Sequence, residues 1–261
     1  MQRKFINSGI TPALIWSFAR QDLVERYAGS ALGFAWAFLQ PIVMMFIFIV
    51  IFGQLMNSRL PGVETYYGYS IFLIAGMIPW IAFSNTLTRT ATVFVDKKNV
   101  LSKVRISLIV LPIFILLAET IIFCIGFLIF GCFLIYINHI PSLNILAMPW
   151  IFLIQQMLAT GLGIILGVLN VFIRDVKEFC SILVQLLFWA TPIVWSPQVM
   201  TIDQYNWLKI FNPLSNIISG YQSIFLGNLR LDFILLNWAA GIGAITLAVG
   251  FLLVHRMEKD I

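Results

Sequence analysis

The stretch Arg26-Tyr27-Ala28-Gly29-Ser30-Ala31-Leu32-Gly33, followed by the uncharged run at 34–56, decides how this chain folds. A helix rises about 1.5 Å per residue, so about twenty apolar residues cross a hydrocarbon core about 30 Å thick. The run therefore reads as a membrane span. Arg3, Lys4, Arg20 and Arg26 precede it, whereas the segment after it, 57–68, holds only Arg59 against Glu64. Basic residues concentrate on the cytoplasmic side of membrane proteins, which places the amino terminus inside.

Composition agrees. Of 261 residues, 61% are hydrophobic and 10% charged, against roughly a quarter charged in soluble domains. The net charge of +5 comes from basic residues between apolar runs, a pattern that topology explains, so nucleic acid is not expected as a partner. Cys124, Cys132 and Cys180 lie in or beside apolar runs without metal-ligand spacing and read as small packing residues. The first apolar run starts too late and is too long for a cleaved signal.

Further spans are expected at 69–87, 106–137, 145–173, 179–195 and 233–254, giving six. The fold class is then all-α, in one transmembrane domain over 1–261: a cytoplasmic amino-terminal part at 1–33, a bundle at 34–254 and a tail at 255–261. Pro79 interrupts the second span. Its exit carries Arg89, Lys97, Lys98, Lys103 and Arg105 against Asp96, marking a cytoplasmic loop. Gly161, Gly163 and Gly167 in the fourth span allow close approach of another helix. Arg174-Asp175 begins the next inner loop. Three of the sixteen basic residues, Arg59, Lys209 and Arg230, fall outside, and the other thirteen fall inside.

Two segments are helical without being spans. Over 11–27, Trp16, Ala19, Leu23, Val24 and Tyr27 form an apolar stripe, with Asp22 and Arg26 on other faces at i,i+4 spacing, which predicts an interfacial helix. Gly29, Ser30 and Gly33 then let the chain turn into the bilayer. Between 198 and 232, Pro213, Gly220 and Gly227 interrupt an apolar segment. Asn212 is placed to cap a helix with Pro213 at its first position, preceded by a second short helix. The pair either dips into the membrane from outside, where protein must satisfy its backbone, or lies on the outer interface.

Residues suited to chemistry are few. Glu119 is the one ionisable group within the assigned spans, and a charge there is costly enough to make it a functional candidate. Without a partner at helical spacing in its own span, it reads as a packing or hydrogen-bonding residue ahead of a proton carrier. His139 and His255 read as solvated. There is no phosphate-binding loop, metal motif or nucleophile motif, so no catalytic or metal-binding residues are assigned. Any nucleotide must be handled by another polypeptide. An intramembrane enzyme acting on a lipid-linked sugar would need paired acids or a His-acid set, and neither is present. Arg26, Arg89, Lys103 and Arg105 at the inner surface are suited to a lipid pyrophosphate, but topology and anionic headgroups explain them as well.

The order Arg26-Tyr27-x-Gly29-Ser30-x-Leu32-Gly33-x-x-Trp36-x-x-x-x-Pro41, Asn170-Val171-Phe172-Ile173-Arg174-Asp175, Thr191-Pro192-Ile193 and Asn212-Pro213-Leu214 resembles the permease subunits of bacterial type-2 ABC exporters for O-antigen, capsule and teichoic-acid polysaccharides. The resemblance covers nearly the whole chain. It implies a homodimer in the bacterial cytoplasmic membrane, with both termini cytoplasmic. Two copies of a separate ATPase would bind ATP and magnesium, with no cofactor on this chain, and lipid-linked glycan would move outward. It also implies a coupling loop, Asp96, Lys97, Lys98, Asn99, Val100 and Leu101, against the ATPase. A gate at the outer mouth would include Tyr205, Trp207, Asn212, Pro213 and Tyr221. Arg26, Tyr27, Gly29, Ser30, Gly33 and Trp36 would form the motif leading into the first span, and Arg174 and Asp175 a cytoplasmic one. A drug or lipid permease of the same class has the same topology, and a proton-coupled carrier using Glu119 is the reading from another class.

Overall fold

The computed structural model describes residues 11–55, 67–101, 106–197, 200–227 and 231–259, and among these the only regular structure is helical. Helix α1 spans Pro12–Tyr27. A short 3-10 turn, Gly33–Ala35, leads into α2 (Trp36–Ile47), whose winding widens to a π-helix over Phe48–Leu55. There follow α3 (Gly68–Asp96), α4 (Lys98–Leu101), α5 (Val110–Tyr136), α6 (Met148–Phe172), α7 (Val176–Trp189), α8 (Ile202–Phe211), α9 (Pro213–Leu226) and α10 (Phe233–Lys259).

Among the described residues, five helical segments are long and apolar enough to cross a bilayer: Gly33–Ile51, Gly68–Asp96, Val110–Tyr136, Leu143–Phe172 and Phe233–Met257. The expected fifth span corresponds to α7, whose 14 residues reach about 21 Å at about 1.5 Å each. Thr191-Pro192 follows it and ends the helix, because proline has no N–H to donate and restricts its predecessor.

Helix α6 is the axis of the bundle and packs against α10 and α3. The contact is close because its glycines leave no side chain in the way. A Cβ on Gly161 would stand 2.5 Å from the backbone nitrogen of Leu247, and one on Gly167 would stand 2.7 Å from the carbonyl of Thr90. Two side-chain amides pin α6 to α3 in register: Gln155 Nε2 donates to Pro79 O at 3.1 Å, and Asn170 Nδ2 donates to Ala91 O at 3.1 Å. Pro79 does not break α3, which runs through it.

Helix α9 is almost wholly enclosed, with 12 of its 14 residues buried. The sequence signals at its ends act as read: Asn212 Oδ1 accepts from Leu214 N at 3.1 Å, and Gly227 closes the helix at φ +70°. Thr201 and Gln204 cap α8 reciprocally. Cys180 is buried as expected, but Cys124 and Cys132 are exposed on α5. His139 is not simply solvated, since its Nε2 lies 2.5 Å from the carbonyl of Phe225 and ties the α5–α6 turn to the end of α9. His255 is exposed.

Candidate functional site

Four ionisable residues, Asp22, Arg26, Arg89 and Glu119, gather at one point, where α1, α3 and α5 meet. Helix α3 continues past residue 87, the expected end of the span, to Asp96. Arg89 is therefore helical, one turn beyond Asn85 and on the same face. On α1, Asp22 and Arg26 share a face by the same spacing. The expected stripe there splits: Ala19 and Leu23 are buried together with Asp22, whereas Trp16 and Val24 are 54% and 61% exposed. The inward face of α1 is thus chosen by its charge partners as well as by its apolar residues. Phe18 stacks on Phe114 of α5 with ring centroids 5.7 Å apart.

Glu119 of α5 is fully buried. Arg26 Nη2 and Arg89 Nη1 each donate to its Oε1 at 2.5 Å, and Asn85 Nδ2 reaches Oε2 at 3.4 Å. Arg89 Nη2 also pairs with Asp22 Oδ1, and Arg26 Nη2 lies 3.6 Å from Asp22 Oδ2. A buried carboxylate without partners would be prohibitively costly, and two guanidiniums over two carboxylates remove that cost with no net charge. Burial by itself would loosen the proton on Arg26, but the Glu119 and Asp22 carboxylates outweigh it and hold the guanidinium above its ordinary value. The partners that Glu119 lacks in its own span come from two other helices.

A second link ties α1 to the far end of α3. Lys97 Nζ pairs with Glu25 Oε2 at 3.3 Å, and Gln21 Nε2 donates to Glu25 Oε1 at 2.7 Å. The Gln21 hydrogen bond first, and Lys97 second, hold Glu25 below the usual carboxylate range against the opposing effect of its slight burial. Asp96 and Lys97 begin the segment assigned to coupling, and Lys98–Leu101 makes one helical turn. Asp96, Lys98 and Asn99 are exposed, while Leu101 packs on the cluster that holds Ala19, Leu23 and Phe94. One side of this turn is therefore anchored to α1 and the other faces outward.

The motif before the first span is a turn. Gly29 and Gly33 adopt φ +80° and +50°, a region open to glycine and strained for other residues. Ser30 Oγ donates to Tyr27 O at 3.0 Å and accepts from Gly33 N at 3.0 Å, locking the bend between them. Tyr27 meets Phe34 edge-on at 6.0 Å. Trp36 begins α2 and borders an open-sided cavity of about 540 Å³ lined by α2, α3 and α5, with Arg26, Asn85 and Glu119 in its wall.

The remaining expected site residues divide. Arg174 and Asp175 are exposed in the α6–α7 turn. Asn212 is buried and donates from Nδ2 to Ala190 O at 3.1 Å and Thr191 Oγ1 at 3.0 Å, joining the start of α9 to the end of α7. Tyr221 is buried among Phe123 and Phe127 and lines no open surface. Tyr205 Oη lies 3.4 Å from Ser219 Oγ, with the Lys209 ammonium 4.3 Å from its ring centre. Burial raises the Tyr205 hydroxyl above its ordinary value, with Ser219 partly opposing. Trp207 is exposed and stacks on Phe211 at 5.5 Å.

Of the four arginines and lysines suited to a pyrophosphate, Arg26 and Arg89 already bind carboxylates, while Lys103 and Arg105 lie outside the described residues, as do Arg3, Lys4, Arg59 and Arg230. The side chain of Val100 is likewise outside them. Asp22 and Asn85 had no standing as site residues in the sequence. The signal that could have found them is the cost of Glu119 itself, which obliges other helices to supply donors.

The ABC-2 type transporter family model matches residues 13–226. Among curated proteins the chain is similar to an O-antigen export system permease protein, RfbA, of Klebsiella pneumoniae. They are 27% identical over 254 residues, covering 97% of this chain and 95% of the relative. A protein of the same name from Myxococcus xanthus is 29% identical over 213 residues, covering 81% of this chain and 80% of its own length. The polysialic acid transport protein KpsM of Escherichia coli is 22% identical over 242 residues, covering 92% and 91%.

Proposed function

We propose, from the premise that this chain belongs to the ABC-2 type transporter family, that it is the membrane-spanning subunit of an ATP-driven exporter moving lipid-linked polysaccharide of the O-antigen kind. The observation that carries this reading is similarity to an O-antigen permease along 97% of the chain. The chain is a multi-pass membrane protein and a transport subunit.

In the finer reading, ATP and magnesium are handled on a separate ATPase, because this sequence has no phosphate-binding loop. The exposed side of 96–101 is the surface offered to that partner. The anchored side passes force to α1 through Lys97–Glu25 and Leu101. The ion cluster then makes α1, α3 and α5 move as one body, since separating them would strand charges away from water. Glu119 is a structural link in this scheme, and its two guanidinium partners leave no need for a proton-carrying role.

Helix α7 makes a sixth crossing together with the chain that follows it, placing both termini on the cytoplasmic side of the bacterial inner membrane. The single transmembrane domain extends over 1–261. Helices α8 and α9 enter from the outer side as the gate, a reading supported by the burial of α9, which satisfies its backbone within protein. Two copies assemble, because α2 and α7 carry apolar side chains (Phe46 and Leu186 among them) that stay exposed among the described residues, and a two-fold interface can open along its axis.

The test is reconstitution. In vesicles containing the chain and its ATPase, lipid-linked glycan should cross only with ATP and should stimulate hydrolysis, whereas hydrophobic drugs should not. Transport without the ATPase, or stimulation by drugs alone, would refute the proposal.

A further inference from the structure

Gln155 and Gln156 are adjacent on α6 and both are buried, yet their amides fare differently. Gln155 Nε2 is bonded to Pro79 O, whereas neither Nε2 nor Oε1 of Gln156 has a hydrogen-bond partner. At 3% exposure solvent does not make up the loss, so the amide carries the full cost of its desolvation.

The helix opposite holds a matching acceptor. Phe123 of α5 stacks on Phe152 of α6 with ring centroids 4.2 Å apart. Phe114, Ile115 and Ala118 of α5 share one core with Ile164 and Val168 of α6, so the two helices run antiparallel. Residues four apart in a helix lie on one face. One turn on from the stack, Glu119 on α5 is therefore opposite Gln156 on α6. Glu119 Oε1 holds both guanidiniums at 2.5 Å, while Oε2 has Asn85 Nδ2 at 3.4 Å, beyond the usual range of about 2.7–3.2 Å. A buried acceptor with capacity to spare thus faces a buried donor without a partner, and in this structure the two are not joined.

The hydroxyls of Thr86 and Thr160 are also buried without partners. A threonine hydroxyl reaches a carbonyl of its own helix by rotation about χ1, so these two need no second helix. The Gln156 amide is the group that does.

Helix α3 supplies a pivot. Gln155 and Asn170 pin α6 to the backbone of α3 at Pro79 and Ala91, and the ion cluster ties α5 and α1 to α3 on another face. Turning about the line of those two pins closes α5 on α6 at the level of Glu119 without breaking either set of bonds.

We infer that Gln156 Nε2 donates to Glu119 Oε2 in a second state of the bundle, reached when α1, α3 and α5 pivot together against α6. This rests on the exporter reading and adds to it a positioning residue, Gln156, which acts through Glu119 by holding the pivoted state.

The complex of the full-length chain with its ATPase, in nanodiscs, is compared at rest and after trapping with ATP, magnesium and vanadate, through the infrared carboxylate bands of a chain carrying isotope-labelled glutamate. Trapping should shift one glutamate band in wild type and in Thr86→Val, and should not shift it in Gln156→Met. At rest Gln156→Met should melt at or above the wild-type temperature, since it removes an amide that makes no bond, whereas Gln155→Met should melt lower. Gln156→Met should also export glycan at least tenfold more slowly. A lower melting temperature for Gln156→Met would show that the amide is already bonded at rest, and a shift that survives in Gln156→Met, or disappears in Thr86→Val, would assign the new bond to another group. Either result would overturn the inference. A shift that depends on Gln156 in a complex that moves no glycan would uphold the contact and remove the exporter reading. Undiminished export by Gln156→Met would overturn the inference and leave the exporter reading standing.

Discussion

Arg26, at the end of the helix before the first span, donates from Nη2 to the buried Glu119 carboxylate at 2.5 Å across 93 residues of sequence. With Arg89 on the same oxygen, the contact joins three helices through one carboxylate. The amino-terminal helix is thereby part of the bundle.

Glu119→Gln should destabilise the protein strongly. It leaves two guanidiniums facing a neutral amide, and breaking a buried pair from one side typically costs about 3–5 kcal/mol. The partial exposure of both arginines places the expected loss at the lower end of that range. In a double-mutant cycle with Arg26→Gln, the second substitution should cost much less in the Glu119→Gln background, as read by thermal melting in nanodiscs. Additive losses would show that the two residues are not coupled.

Glu25 and Lys97 should contribute little, and only over part of the pH range. The pair is surface-exposed and worth less than about 1 kcal/mol. Because the folded state lowers the Glu25 value, its contribution is complete above the ordinary carboxylate value of about 4.3 and disappears as pH falls through the lowered one. The melting curves of wild type and Glu25→Gln should differ slightly at neutral pH and coincide in acid. A gap that persists in acid would contradict the assignment.

Gly161→Ala should separate α6 from α10, since its Cβ would meet the Leu247 backbone at 2.5 Å. Overpacking of this kind costs about 1–3 kcal/mol. Gly131→Ala is the control: nothing lies within 4 Å of a Cβ there, and alanine is the better helix former by about 0.5–1 kcal/mol. The first should lower the melting temperature and the second should hold or raise it.

Asn212→Ala should free the start of α9. It removes the cap on Leu214 N and both bonds to the end of α7, and losing a cap costs about 1 kcal/mol before the stranded Ala190 carbonyl is counted. Faster proteolysis between 197 and 212, with the other helices intact, is the expected readout.

Leu101→Asp should abolish glycan export while the protein still inserts, because the turn at 98–101 loses its apolar anchor beside α1. Normal export from this variant would argue against coupling through that turn.

Much of this fold was legible in the chain because its signals are local. Asn212 followed by Pro213 announces the start of α9 within two residues, and Gly29, Ser30 and Gly33 announce the bend before α2, since capping and left-handed backbone are properties of single positions. The end of α3 was misplaced because Arg89 and Lys97 read as loop charges. Only their carboxylate partners on other helices explain why the helix continues. The Trp16–Val24 stripe misled for the same reason, as helical spacing alone did not rank it against the face that holds Asp22.

By itself the sequence determined the membrane setting and its long helices, because uncharged runs of that length can satisfy their backbone in hydrocarbon only by coiling. It also determined the small-residue faces through which α6 packs. Tertiary structure alone decided that Asp22, Arg26, Arg89 and Glu119 are one group, that α9 is enclosed, and that a cavity opens beside Arg26. Those are relations between helices far apart in the chain, and the burial energy of a charge depends on which of them meet.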